Sequence, residues 1–216
     1  MTRCCPGLAI GLGSGTATMG EGGDARLRIA GGDLRGRVLA APVAAATRPT
    51  AAVVREALFA VLAALPLEVG RDTALDLFAG SGALGFEALS RGWREAWFVE
   101  VAPAALRGLR RNVDDLGLHG RCHVVAADAR RFLHAARSRH FDLILADPPY
   151  AAGAGQLVAL LAGGDGPGVG VLAVEHLVRE EMPAVSGNLA RIWSRAYGRT
   201  GLSLYAERGR QRVVGA

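Results

Sequence analysis

The sequence predicts an α/β fold built on a mostly parallel sheet of seven strands, with an antiparallel hairpin strand at the carboxyl end. Three observations support this prediction. Short apolar segments alternate with helical patterns from residue 70 onward, a glycine-rich loop follows the first of these segments, and only a short turn separates the last two. Alternating strands and helices are typical of βαβ units and hence of a parallel sheet. Two strands joined by a short turn must run antiparallel.

Composition limits the class of protein. The chain has 216 residues, half of them hydrophobic, which is enough for one well-buried domain with a small appendage. No apolar run reaches the ~18 to 20 residues of a membrane span. The three cysteines and five histidines show no spacing typical of a disulfide framework or a zinc site. We therefore expect a cytoplasmic protein without membrane contact and without a metal. The sequence carries no signal for the oligomeric state, and a monomer is taken as the default.

The charge pattern indicates a polyanionic partner. The formal net charge is +5, and all 25 basic residues are arginines. Arginine binds phosphate through a two-pronged guanidinium and stacks on bases, so a nucleic acid is a suitable partner. GC-rich coding could also enrich arginine, and composition alone leaves that alternative open.

The chain divides into three predicted parts. Residues 1–25 are rich in small residues without periodicity, and we expect a disordered tail there. Residues 26–66 read as a β-hairpin around a Gly31-Gly32 turn, followed by a helix with an apolar stripe. Residues 67–216 form the main α/β domain.

Arginines concentrate in the amino-terminal part. Arginines two residues apart on a strand project from one face and could follow a phosphate backbone, although a solvated charged hairpin is the simpler alternative. The candidate nucleic-acid contacts are Arg26, Arg28, Arg35, Arg37, Arg48 and Arg55.

The elements of the main domain follow in a regular order. Strands are predicted at residues 74–78, 96–99, 123–126, 141–146, 169–174, 189–197 and 202–206. Helices are predicted at residues 84–91, 103–116 and 129–137, the second of them opening at Pro103 and ending at Gly117.

The loop after the first predicted strand suits an adenosine-containing cofactor. Gly80, Gly82 and Gly85 form a G-x-G-x-x-G pattern between a strand and a helix, where glycines permit a tight turn and close approach of a ligand. Glu100 follows 20 residues after Gly80, at the end of the second strand, where a carboxylate accepts ribose hydroxyls. A nicotinamide dehydrogenase and an S-adenosylmethionine enzyme would both show this combination.

Acidic residues at other strand ends favour S-adenosyl-L-methionine. Asp76 precedes the loop, where it would repel a pyrophosphate but could face a methionine amino group. Asp128 follows the third strand and could accept from an adenine amine. Alternatively, Asp76 is a buried capping group and Asp128 a helix N-cap. The candidate cofactor-binding residues are Asp76, Phe78, Gly80, Ser81, Gly82, Gly85, Glu100, Asp128 and Ala129.

The fourth predicted strand ends in Asp147-Pro148-Pro149-Tyr150. Consecutive prolines lack N–H groups and cannot continue a sheet ladder. The strand therefore delivers a carboxylate, prolyl carbonyls and an aromatic ring at its tip, an acceptor-rich pocket that suits a planar amine such as a nucleobase. These four residues are the catalytic candidates, and a rigid turn without function is the alternative.

Together these motifs resemble the RsmD family of bacterial enzymes, which methylate the N2 amine of guanine 966 in 16S ribosomal RNA. The resemblance rests on residues 76–85, 87–92 and 147–150, on Glu100, Asn112 and Asp128, and on residues 29–37 and 48–59 upstream. It implies a Rossmann-like class I methyltransferase fold, S-adenosyl-L-methionine as cofactor, and 16S rRNA in an assembling or assembled small subunit as partner. It also implies that residues 26–66 bind RNA and residues 67–216 carry catalysis.

Three other functions compete with this interpretation. A DNA adenine-N6 or protein-glutamine methyltransferase shares the Asp-Pro-Pro-Tyr type of motif, but little of this chain remains for a separate target-recognition domain. An NAD-dependent oxidoreductase has no evident use for that motif. A non-enzymatic RNA-binding module has no need of Asp76, Glu100, Asp128 and Asp147 at four successive strand ends.

Overall fold

The computed structural model describes residues 27–41, 49–65, 70–149 and 153–208. The expected disordered tail, Arg26, Arg48 and Tyr150 lie outside these ranges. The predicted boundary between the amino-terminal part and the main domain, at residue 66, also falls outside them.

The described residues form eight strands and five helices. The strands are β1 (Thr73–Leu77), β2 (Glu95–Glu100), β3 (Cys122–Ala126), β4 (His140–Ala146), β5 (Gly168–Leu177), β6 (Val185–Ser186), β7 (Leu189–Tyr197) and β8 (Thr200–Glu207). The helices are α1 (Pro49–Ala64), α2 (Ala83–Ser90), α3 (Pro103–Leu116), α4 (Ala129–Ala135) and α5 (Ala154–Ala162). Among these described helices, none has the length and apolar character needed to cross a bilayer.

One mixed sheet organises the molecule, in the order β3-β2-β1-β4-β5-β8-β7-β6. The first five strands are parallel, and β8 joins β5 antiparallel. The strand order reverses between β1 and β4, and ligands of open α/β sheets bind in the crevice at such a switch point. The residues that follow Leu77 and Ala146 therefore face the same crevice.

The predicted fold class is confirmed, with two additions. The two-residue strand β6 pairs with β7 at the sheet edge and raises the strand number from seven to eight. Helix α5 was not predicted, because residues 151–162 are rich in glycine and alanine and give little periodic signal. The parallel pairing of β4 with β5 requires a crossover connection, which α5 supplies.

Both ends of helix α3 are determined by residues at those ends. Pro103 lies in its first turn, where a missing N–H costs nothing, and Gly117 ends it with a left-handed φ of 70°. Leu106, Leu109 and Val113 are buried along one face. The predicted bounds of this helix are confirmed.

The amino-terminal hairpin differs from the prediction. Instead of two strands, a single antiparallel bridge joins Arg28 to Val38. The backbone N–H groups of Ala30 and Gly31 donate to the Glu87 carboxylate of α2, and not to an opposing strand. Because α2 takes these donors, the hairpin ladder cannot extend.

The amino-terminal part shares a hydrophobic core with the α/β domain. Ile29 and Leu39 from the hairpin, and Leu58 from α1, belong to the same buried cluster as Phe86 of α2 and Leu145 of β4. A second cluster fills the opposite face of the sheet beneath α4 and α5. Residues 27–41 and 49–65 are thus packed onto the sheet as part of one folded unit.

Candidate active site

The chain turns sharply after β1. Phe78 has a positive φ of 61°, which is uncommon for a residue with a side chain and is found preferentially at functional sites. Gly80 and Gly82 follow with φ of 55° and 83°. These three residues fold the loop back so that α2 starts directly above the end of the strand.

The three loop glycines have different surroundings. A Cβ atom on Gly82 would lie 2.5 Å from the Leu109 and Phe86 side chains, and one on Gly85 would lie 2.3 Å from the Phe98 ring. Those two glycines let the helix pack closely on the sheet and on α3. At Gly80 the nearest atom would be 4.0 Å away, so the main chain there is open to a ligand.

Asp76 lies beneath this loop with only 2% of its surface exposed. Its Oδ2 accepts from Gly85 N at 2.9 Å, which ties the carboxylate to the first turn of α2. Burial raises its pKa well above the ordinary value, the Gly85 hydrogen bond opposes this, and repulsion from Asp147 and Glu100 adds to it. A cationic group beside Asp76 would relieve this cost.

Glu100, at the end of β2, stabilises the same loop by hydrogen bonding. One carboxylate oxygen accepts from Gly80 N at 2.8 Å, and the other accepts from the N–H groups of Val101 and Ala102. Each oxygen of a carboxylate has two lone pairs, so these three bonds leave one acceptor site, on the oxygen that binds Gly80 N, for a ribose hydroxyl. The side chain is half-buried, at the mouth of the crevice.

Asp128 has the second of its two predicted roles, that of a helix N-cap. It is the N-cap of α4 and accepts from Arg131 N at 3.1 Å, while its side chain remains exposed. The following Ala129 is buried. A capping aspartate uses one oxygen for the helix, so the other can accept from a ligand.

The end of β4 places Asp147 opposite the β1 loop. Leu77 and Ala146 are paired in register, so Phe78 and Asp147 are the next residues on adjacent strands. Asp147 is exposed, Pro148 is buried and Pro149 is exposed. The carboxylate and the prolyl carbonyls thus border the crevice at the switch point.

Glu175 of β5 is a candidate site residue that the sequence did not indicate. Ala146 pairs with Val174, so Asp147 and Glu175 are the next residues along two parallel strands. Burial first, and then repulsion from Asp147, raises the pKa of Glu175 to about 8; Arg55 lowers it and Asp76 raises it further. The available signal was a lone acidic residue directly after the apolar run of residues 169–174.

The structure gives Arg55 a different place from the one predicted. It is only 5% exposed, its Nε lies 3.4 Å from a Glu87 carboxylate oxygen, and its terminal nitrogen donates to the Arg28 carbonyl at 2.7 Å. A guanidinium held in this way cannot reach a phosphate. We therefore remove Arg55 from the candidate RNA contacts.

Glu87 is the centre of the attachment between the amino-terminal segment and α2. It is fully buried and accepts from Ala30 N and Gly31 N at 2.8 Å each. Arg91 also donates to it at 2.8 Å. Ser90 extends this attachment, since its Oγ accepts from Leu34 N at 2.9 Å.

Asn112 of α3 joins the amino-terminal segment to the cofactor loop. Its side chain exchanges two hydrogen bonds with the main chain of Ala40. It also donates to the Ser81 carbonyl at 2.9 Å. One buried amide therefore touches both regions predicted to contact ligands.

The remaining described arginines of the candidate RNA set are exposed. Arg28 donates to the Gly36 carbonyl and Arg37 to the Asp115 carbonyl, while Arg35 lies in the turn between them. These side chains are accessible to phosphates, in contrast to Arg55.

The residues around the loop fit an S-adenosyl-L-methionine molecule. The open main chain at Gly80 permits close approach, and the carboxylates of Asp76, Glu100 and Asp128 offer acceptors for an ammonium group, for hydroxyls and for an amine. A dinucleotide pyrophosphate would meet the buried Asp76, an unfavourable neighbour for an anion. Among the described residues, no group of three or more histidine, cysteine or acidic side chains is arranged to hold a metal ion.

Removing the charge of Glu175 should alter the pH dependence of stability. The pKa of Glu175 is about 8 in the folded protein and has the ordinary value of 4.5 in the unfolded chain. Between pH 4.5 and pH 8 the folded protein therefore keeps a proton that the unfolded chain has lost. Wild-type stability therefore falls over this window, by up to about 1.4 kcal/mol per pH unit. Urea unfolding of Glu175→Gln should show an advantage over wild type that grows from pH 5 to pH 8. A difference independent of pH would contradict this explanation.

Several known proteins are similar to this chain. Residues 27–206 match the family described as Conserved hypothetical protein 95. Ribosomal RNA small subunit methyltransferase D of Escherichia coli (strain K12) is 34% identical over 185 residues, covering 85% of this chain and 91% of that protein. Protein YlbH of Bacillus subtilis (strain 168) is 38% identical over 189 residues, covering 85% and 100%. The solved structure of Escherichia coli yhhF has a TM-score of 0.73 at 33% identity, covering 85% and 98%.

Proposed function

The chain belongs to the family described as Conserved hypothetical protein 95, and on that premise we propose that it methylates the N2 amine of guanine 966 in 16S ribosomal RNA. The resemblance to the RsmD family is confirmed at the level of the family. The observation that carries the proposal is the position of Asp147 and Pro148, which border the switch-point crevice directly across from the glycine loop.

The cofactor is S-adenosyl-L-methionine. When bound, it supplies a methyl group on a positively charged sulfur, which an amine nitrogen can attack. Gly80 and Ser81 would lie against it with their main chain, Asp76 would face its ammonium group, and Glu100 would accept from a ribose hydroxyl. Asp128 and Ala129 would border the adenine.

Asp147 and Pro148 would orient the target amine. The lone pair of the guanine amine is conjugated with the ring, which makes the nitrogen a poor nucleophile. If the Asp147 carboxylate and the Pro148 carbonyl accept its two N–H groups, the nitrogen is drawn toward tetrahedral geometry and aimed at the methyl carbon. The nitrogen becomes acidic once methylated, and Asp147 can take the released proton. Tyr150 would stack on the base after it has turned out of the RNA.

The exposed arginines of the amino-terminal segment would bind the RNA backbone. Arg28, Arg35 and Arg37 lie on the hairpin that packs against α2, and Arg26 and Arg48 extend the set along the chain. Such contacts would fix the register of the RNA, while the crevice selects the base. The partner is 16S rRNA within an assembling or assembled small subunit in the cytoplasm.

Product analysis tests this function. Small subunits and naked 16S rRNA, both from cells lacking the modification, are incubated with the protein and methyl-labelled cofactor, and the RNA is digested to nucleosides. We expect label in N2-methylguanosine at a single site. Label in N6-methyladenosine would favour the adenine alternative, and the absence of labelled N2-methylguanosine from both RNA substrates would overturn the proposal. Comparing the two RNA forms identifies which one is the substrate.

A further inference from the structure

Glu175 and Asp147 occupy matching positions in the register of two adjacent parallel strands, each following the paired residues Val174 and Ala146. Side chains alternate between the two faces of a strand. Leu145 and Ala173 are paired and buried in the core cluster beneath α1. Glu175 lies two residues after Ala173 on β5, and Asp147 lies two residues after Leu145, directly after the last residue of β4. Both carboxylates therefore project to the same side of the sheet, on strands about 4.8 Å apart.

Three charged groups surround Glu175. Asp147 on β4 and Asp76 on β1 repel its ionised form, while Arg55 on α1 attracts it. Leu202 is its paired neighbour on β8. Arg55 is already bound to Glu87 and to the Arg28 carbonyl, so it compensates Glu175 only in part.

The Watson–Crick edge of guanine requires one more acceptor than Asp147 and Pro148 provide. It presents the two N–H groups of the N2 amine and, one ring carbon away, the N1–H. A buried donor left without an acceptor weakens binding, so N1–H needs a partner beside the two that hold the amine. Adenine differs at this point, because the ring nitrogen next to its amine carries no hydrogen.

We propose that Glu175 determines the choice of base, its carboxylate accepting the N1–H of the target guanine while Asp147 and Pro148 hold the N2 amine. This inference rests on the proposed function. It assigns recognition of N1–H to a residue of β5, whereas the motif after β4 binds only the N2 amine. The raised pKa of Glu175 in the ligand-free protein agrees with a carboxylate placed for a donor that arrives with the substrate.

The test combines a change in the target base with a change in the Glu175 side chain. The target guanine is replaced by 2-aminopurine in a synthetic RNA segment ligated into the substrate. This base keeps the 2-amino group, but its N1 carries no hydrogen. Single-turnover rates at saturating cofactor are measured for wild type and for Glu175→Gln on both RNAs at pH 8.5, above the pKa of about 8 of Glu175, so that its carboxyl group is ionised and can only accept.

Wild type should methylate guanine about 10- to 100-fold faster than 2-aminopurine, as expected when a charge-assisted hydrogen bond is lost. Glu175→Gln should lose a smaller factor on guanine, because its amide oxygen can still accept N1–H but carries no charge. Its ratio between the two bases should fall toward one, because the glutamine amide can donate to the bare N1. An unchanged ratio, with both rates reduced equally, would mean that Glu175 acts only on the structure and would overturn the inference.

Three controls keep the outcomes distinct. S-adenosylhomocysteine binding measured by calorimetry should be the same in wild type and variant, and Glu181→Gln, which alters an exposed glutamate, should behave as wild type. Glu175→Asp keeps the charge and should keep a preference for guanine, even where the glutamine variant folds poorly. If wild type forms no N2-methylguanosine, the proposed function fails; if it does and the ratio stays constant, only this inference fails.

Discussion

Asp147→Ala should reduce the rate of methyl transfer by about 10²- to 10⁴-fold while leaving cofactor binding nearly unchanged. The variant loses the acceptor that aims the amine and the base that takes its proton, and the Pro148 carbonyl alone cannot hold both N–H groups. Asp147 is exposed at the crevice and repels Asp76 and Glu175, so its removal should not destabilise the fold. Single-turnover methylation and calorimetry with S-adenosylhomocysteine measure the two effects separately.

The matched control for this variant is Asp165→Ala. Asp165 is exposed in the turn before β5, at the opposite edge of the sheet from the crevice. It should leave the rate unchanged. Turnover by Asp147→Ala at more than a tenth of the wild-type rate would refute the assigned role of the carboxylate.

Glu87→Ala should lower the free energy of unfolding by about 3 to 5 kcal/mol. The substitution leaves the buried Arg55 without its main counter-charge and two main-chain N–H groups, of Ala30 and Gly31, without an acceptor. Burying unpaired polar and charged groups carries the full cost of desolvation. Urea unfolding measures the loss.

Amide hydrogen exchange shows which part of the protein the Glu87→Ala substitution destabilises. The Ala30 and Gly31 amides should lose protection in Glu87→Ala, while amides in β1 and β4 remain the most protected. Glu87→Gln keeps an acceptor oxygen and should therefore be intermediate in both measurements. A loss below about 1 kcal/mol, with Ala30 still protected, would show that Glu87 does not hold the segment.

The elements that the sequence predicted well are those determined by local chemistry. Pro103 and Gly117 mark the ends of α3 because their backbone preferences act within a few residues. The carboxylates at strand ends were recognisable for a related reason, since parallel strands present their carboxyl ends at one edge. Asp76, Glu100, Asp128 and Asp147 all lie at that edge of the sheet.

The features that escaped prediction depend on residues far apart in the chain. Arg55 looked like a nucleic-acid contact because its partner Glu87 lies 32 positions away, and only the packing of α1 on α2 brings them together. Glu175 was hidden at the end of an apolar run, since its significance comes from the β4–β5 register. The motif predicts ligand contacts at all three glycines. In the structure, Gly82 and Gly85 adjoin packed side chains, and of the three only Gly80 has open space beside it.

The attachment of the amino-terminal segment has a consequence for how this surface can evolve. Glu87, Ser90 and Asn112 hold the segment through its main-chain N–H and C=O groups, which every residue type except proline provides in full. The exposed side chains of the segment can therefore be exchanged while its position on the domain stays fixed, although Ile29 and Leu39 are buried in the core and Gly32 has a positive φ. Substitutions at an exposed residue such as Arg35 could therefore change RNA affinity during evolution without changing the fold of the segment.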